Sequence, residues 1–264
     1  FNSDAAPGCA LAVDRPGQPV LTRAFGMADL EHGIRNTADT VFEAGSVSKQ
    51  FTAAAVLALV DQGKLRLDAD VRTIIPELPD YGQVITVDQL LNHTSGLRDW
   101  GAVLGLAGWP RTTRTNSQKD FLFVATRQKA LNFEPGAESS YTNTGYNLLT
   151  EIVRRVSGKS LAEFSRETFF VPLGMTHTLW RDNFRRVVPG RAQAYDWKDG
   201  GYEQDMPFED AYGNGGLLTT VGDLLIWNRA LDNGTLGKFV TTIGQEVIDP
   251  EGNDEWAIFT SIDL

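Results

Sequence analysis

From Phe51 to Val60 the chain is apolar at every position but Thr52. A segment that is apolar nearly all round reads as a helix buried on every side, not as an amphipathic surface helix. Cys9 to Val13 and Val20 to Phe25 are short apolar runs joined by Asp14-Arg15-Pro16-Gly17-Gln18-Pro19, which predicts an antiparallel hairpin. Thr86-Val-Asp-Gln89 and Ser160-Leu-Ala-Glu163 both carry the capping-box pattern that opens a helix, and Gly145 to Val156 keeps helical spacing until Gly158. A further helix is expected from about Val221 to Leu231, ahead of Asn233-Gly234, and a strand from Trp256 to Ile262. There is no internal repeat and no low-complexity linker.

Strands near both ends with helices between them predict an α+β fold in one domain spanning 1–264. An α/β subdomain is expected from about 1–60 and 215–264, with a mainly helical subdomain from about 61–214.

Composition narrows the partners. The formal net charge is −10, which repels nucleic-acid backbones and anionic lipid. No apolar run reaches the roughly 18–20 residues of a membrane span. The single Cys9 excludes an intramolecular disulfide, and the three histidines, His32, His93 and His177, form no metal-ligand spacing, so neither metal nor cofactor is expected. A small molecule or a peptide is the expected substrate. The chain opens at Phe1 without Met or a signal-like stretch, the pattern of a trimmed or processed protein.

The buried helix gives the chemistry its place. Ser46-Val47-Ser48-Lys49 puts a hydroxyl and an amine three residues apart, on one helix face. This spacing alone is also that of a helix-start serine and a solvated lysine. A lysine leading a buried helix, however, calls for a reason. Free N–H groups in the first turn also favour a developing oxyanion, with the Ser46 amide as a donor. Tyr141-Thr142-Asn143 follows a turn-rich Glu134-Pro135-Gly136-Ala137, and in an extended loop its phenol and carboxamide face one pocket. Tyr212-Gly213-Asn214 repeats the Tyr-x-Asn form inside a glycine-rich turn and ranks second, because sharp bending explains it.

Together these residues resemble the serine β-lactamase and penicillin-binding-protein superfamily, in its class C β-lactamase, esterase and D-aminopeptidase branch. The resemblance runs through Ser46-Val-Ser-Lys-Gln-Phe-Thr52, Leu90-Leu-Asn-His-Thr-Ser-Gly-Leu97, Tyr141-Thr-Asn-Thr-Gly-Tyr146, Pro172-Leu-Gly-Met175 and Gly215-Gly-Leu-Leu-Thr-Thr220. It implies an antiparallel sheet flanked by helices, packed on an all-helical subdomain with the site in the cleft. By position it makes Ser46 the acylated nucleophile, Lys49 and Tyr141 its proton-transfer partners and Asn143 a substrate-positioning group. His93 is implied to be structural, at a hydrogen-bonded helix end. The resemblance also implies a third motif, Lys/His-x-Gly, on a site-lining strand. Thr241-Thr-Ile-Gly244 is the nearest match, and the sheet is expected to be incomplete at the C-terminal end.

Trp100 and Trp109 flank a glycine-rich segment that either walls the acyl pocket or pins a loop to the core, and Asp210 and Tyr212 are further candidates for the cleft border. The base is either a neutral Lys49, its pKa lowered by burial, or the phenolate of Tyr141 beside a charged Lys49. A β-lactam, a D-amino peptide and a short-chain ester are all open as substrates, and so are a penicillin- or peptide-binding sensor without turnover and a catalytically defective homologue. The resemblance implies a bacterial periplasmic or secreted setting, with cytoplasmic relatives known.

Overall fold

The computed structural model describes residues 5–109, 114–206, 209–238 and 240. The hairpin forms as expected: β1 (Cys9–Val13) pairs antiparallel with β2 (Leu21–Phe25), Cys9 opposite Phe25. β3 (Met27–Asp29) and β4 (Ile34–Arg35) make a second antiparallel pair. After β5 (Phe42–Glu43) a tight 3-10 turn, Gly45–Ser48, leads into α1 (Lys49–Asp61).

Every α1 residue from Phe51 to Leu59 is buried, which satisfies the all-round apolar pattern. This helix is the axis of the molecule. α2 (Val87–Leu91), α3 (Trp100–Leu106), α4 (Gln118–Ala125) and α5 (Asn143–Ser157) follow, and α5 packs against all four earlier helices. α6 (Leu161–Ser165) continues through a π-helical turn, Arg166–Phe170, into α7 (Val171–Leu173). The capping boxes at Thr86 and Ser160 are present, and Ser117 with Asp120 makes a third. Gly158 closes α5 in the left-handed conformation.

The segment from 179 to 204, expected within the helical part, contains no helix and carries three short strands among turns. β6 (Leu179–Trp180) joins the sheet, and β7 (Tyr195–Lys198) pairs with β8 (Gly201–Gln204). Asp199 and Gly200 both have positive φ, 52° and 85°, and form the two-residue turn that Asp-Gly favours between strands. β9 (Leu217–Thr219) then lies between β5 and β6, antiparallel to both, and α8 (Val221–Asp232) packs on β1. The expected strand at Trp256 to Ile262 and the Thr241–Gly244 segment lie outside the described residues. No helix among those described is long and apolar enough to cross a membrane.

Two glycines let the layers close. At Gly145 a Cβ would stand 3.0 Å from the Leu90 carbonyl oxygen, so the α2–α5 approach needs hydrogen there. Gly213 has φ 99°, and a Cβ on it would fall 1.9 Å from Thr150 Oγ1. Gly213→Ala is therefore expected to lower stability by about 2 kcal/mol or more through strain and collision. Gly17→Ala, also at positive φ but with nothing within 4 Å, separates strain from collision. The two denaturant midpoints, measured side by side, check the difference.

Candidate active site

The N-terminal end of α1 is fastened to the chain that follows Tyr212. Ala44 N–H donates to Leu217 O at 2.8 Å, Leu217 N–H to Ser48 Oγ at 3.0 Å, and Thr52 Oγ1 to Gly213 O at 2.7 Å. Phe51 packs on Trp227 at 4.3 Å, and Trp227 Nε1 donates to Gln50 Oε1. These contacts fix the turn that carries Ser46 and the first residue of the helix, Lys49.

Lys49 is 3% exposed, whereas Ser46 and Tyr141 are open to solvent. Its ammonium donates to Tyr141 OH at 2.5 Å, to Asn214 O at 2.7 Å and to Asn143 Oδ1 at 3.0 Å. Three acceptors match three N–H bonds. Ser46 Oγ is a fourth and longer contact at 3.4 Å, and Tyr141 OH donates to that Oγ at 2.7 Å. The phenol thus bridges the serine and the amine. Loss of hydration moves the Lys49 pKa down to about 8, against the Asp99 carboxylate, which raises it.

α5 opens at Asn143 with Thr142 as its cap. Asp99 ties this helix to α3: Oδ1 accepts from Ala102 N–H, capping α3, and Oδ2 accepts from Asn143 N–H at 2.7 Å. Behind them Asn147 is fully buried. Its Oδ1 accepts from Trp100 Nε1 at 2.9 Å, and its Nδ2 donates to Tyr212 O at 3.1 Å and to Asn214 Oδ1 at 3.0 Å.

A cavity of about 270 Å³ adjoins this cluster, and its lining includes Trp100, Leu104, Trp109, Asn116, Asn143 and Asn214. Gly101 and Gly105 put the bare face of α3 on the same wall. Trp100 does both things weighed for it: it walls the cavity and, 3% exposed, pins its loop to α5.

Of the residues singled out in the sequence, Ser46, Lys49, Tyr141 and Asn143 come together, and Trp100 borders them. Tyr212 does not join them by its side chain. Its ring is buried against Trp180, 5.7 Å between centroids, and burial pushes its phenol up to about 12. Its neighbour Asn214 supplies the cleft contact instead, mainly through the backbone. Asp210 accepts from Phe184 N–H and braces a loop. His93 sits at the end of α2 with φ 59°, Thr94 N–H reaching back to Gln89 O, which is the hydrogen-bonded helix end expected of it. Asp99 and Asn147 went unnoticed in the sequence. The available signal was an asparagine on the apolar face of a helix.

A Beta-lactamase family model matches residues 2–241. The chain belongs to the Beta-lactamase family. Within it, a D-aminopeptidase of Gluconobacter oxydans (strain 621H) is 30% identical over 228 residues, covering 86% of this chain and 42% of the relative. The chain thus spans less than half of that relative's length. Among solved structures, an octameric penicillin-binding protein homologue from Pyrococcus abyssi superposes with TM-score 0.80 at 26% identity, covering 92% of this chain and 57% of the other. D-amino acid amidase from Ochrobactrum anthropi SV3, complexed with D-phenylalanine, gives 0.78 at 26% identity, covering 90% and 70%. The Beta-lactamase fold accounts for the antiparallel strands flanked by helices.

Two measurements follow from the site geometry. The Lys49 amine is expected to titrate near pH 8 in an NMR titration of labelled lysine, and Asp99→Asn, by removing the carboxylate that raises it, to move the midpoint lower. Asn147→Leu leaves the Trp100 N–H without its acceptor and the Tyr212 carbonyl with Thr150 Oγ1 as its remaining side-chain donor, at a cost of about 1–3 kcal/mol in chemical denaturation.

Proposed function

We propose that the chain is a serine hydrolase working through an acyl-enzyme on amides or esters. The observation that carries this is the continuous path from Ser46 Oγ to Tyr141 OH to Lys49 Nζ, 2.7 and 2.5 Å long. With Tyr141 as the phenolate, its hydroxyl proton released to solvent beside the Lys49 ammonium, the serine proton passes to the phenol oxygen as the Ser46 Oγ–carbonyl bond forms. The ammonium, held by its other two acceptors, stabilises the phenolate before it takes that proton and again when the proton has gone to the leaving group. The tetrahedral intermediate collapses as the leaving amine or alcohol takes the proton from Tyr141. Water then attacks the ester by the reverse path and frees Ser46.

This assignment makes Tyr141 the immediate base and Lys49 its electrostatic partner, because the direct Lys49–Ser46 contact is the longest of the set. Asn143 and Asn214 hold Lys49 and border the cavity, where Asn143 also meets substrate. At about 270 Å³ the cavity lies at the small end of ligand pockets, of the order of one acyl side chain. Trp100, Leu104 and Trp109 offer one apolar side to an acyl group, beside the polar Asn116, Asn143, Glu209 and Asn214. The names of the relatives, D-aminopeptidase and D-amino acid amidase, support an aminoacyl amide or ester over a long acyl chain.

The test is intact-mass analysis after incubation with a penicillin and with a nitrophenyl ester, beside Ser46→Ala. An adduct of one acyl group is expected in the wild type and none in Ser46→Ala, whose thermal midpoint stays nearly unchanged. A stable adduct without release indicates a binding protein, and labelling that survives in Ser46→Ala removes the assignment. Tyr141→Phe is expected to slow acylation about 10²–10⁴-fold, and Tyr212→Phe only slightly. Gly105→Leu, filling the bare wall of α3, is expected to cut aromatic acyl esters about 10–100-fold while sparing acetyl esters, read as kcat/KM for each.

A further inference from the structure

His93 stands where a helix ends in the left-handed conformation, a position that glycine or asparagine ordinarily fills. A histidine takes up that conformation less readily than glycine, and its side chain here makes contacts beyond the helix end. Its carbonyl accepts from Ser140 N–H at 3.0 Å, and its Nδ1 accepts from Thr142 N–H at 3.3 Å. Those are the residues immediately before and after Tyr141. Between the two bonds the imidazole lies on the phenol, ring centroids 4.6 Å apart and planes tilted by 35°. Its other face neighbour is Tyr146 of α5, at 5.2 Å.

We propose that His93 is the positioning residue of Tyr141, gripping the loop on both sides of the phenol and laying its ring against it so that the hydroxyl stays between Ser46 and Lys49. The inference rests on the acyl-transfer reading of Ser46 and Tyr141. The groups facing the ring are Lys49 from α1, Tyr141 from the loop and Tyr146 from α5. Burial and the Lys49 charge both hold the ring's pKa down, at about 4. The imidazole is therefore neutral at neutral pH, with its proton on Nε2 and the Nδ1 lone pair free for Thr142. A charged ring would turn an N–H on the Thr142 N–H and add a second cation beside Lys49.

The clamp makes a prediction that a helix-end role does not. His93→Gly and His93→Asn both ease the left-handed backbone while giving up ring contacts with Tyr141 and Tyr146, so their thermal midpoints are expected to stay near the wild type. His93→Gly removes both ring and Nδ1. Its acylation rate by a nitrophenyl ester is expected to fall about 10–100-fold with KM within about threefold, the scale of a misplaced reacting group. His93→Asn keeps an acceptor for Thr142 and is expected to recover part of that loss. In both, water reaching the ammonium is expected to move the pH midpoint of acylation upward. Wild-type rate and midpoint in both variants would overturn the inference. So would 15N shifts of the wild-type ring showing the Nδ1–H tautomer or a titration near pH 6.5. Absence of any Ser46 adduct in the wild type would instead sink the hydrolase reading, and the tautomer measurement would still decide the clamp.

Discussion

Everything at this site depends on keeping one ammonium out of water at the start of a buried helix. An isolated charge there is too costly to persist unpaired. Lys49 meets the requirement with three acceptors from two other parts of the chain: a phenol just before α5 and a carboxamide in its first turn, and a carbonyl 165 residues downstream of the lysine. Satisfying the amine therefore brings the start of α1, the Tyr141–Asn143 segment and the Asn214 turn together. The same need holds Tyr141 against Ser46, so the reactive path follows from the solution to a burial problem.

The supporting layer has a consistent logic. Asp99 and Asn147 both fasten α5, whose first residue Asn143 is an acceptor of the Lys49 ammonium. Asp99 couples the starts of α3 and α5, and Asn147 couples α5 to Trp100 and to the Tyr212–Asn214 turn. Buried polar networks of this kind stabilise only when each member is satisfied, and Asn147 has three partners. The cavity beside them shares Asn143 and Asn214 with this network, while the bare Gly101–Gly105 face of α3 forms another part of its wall.

Local pattern was enough for much of the fold. The hairpin, the buried helix, two capping boxes and the glycine stop after α5 all rest on residues within a turn or two of each other, and all appear. Ser46 with Lys49 was legible for the same reason. The Asp199-Gly200 hairpin was equally local and was passed over, while the third capping box escaped because its acid is Asp120 and not a glutamate. Tyr212 shows the limit of motif reading. Its Tyr-x-Asn form matches that at Tyr141, but whether a ring faces the cleft or the core depends on Trp180 and the α6 region, which no local pattern encodes. Asn147 and Asp99 act through partners 44 to 67 positions away, so their roles emerge only once the helices are packed.

The third partner of the Lys49 ammonium is a main-chain oxygen, that of Asn214. No substitution at 214 can delete it. Its place is held by the path of the chain, which is set by Thr52 on the Gly213 carbonyl and by the fit of Gly213 against Thr150. This part of the site is thus inherited at positions that never touch a reacting atom. A survey of variants that scored only the chemical groups around Ser46 would miss one of its three anchors, and the lesions that break it would look like folding defects.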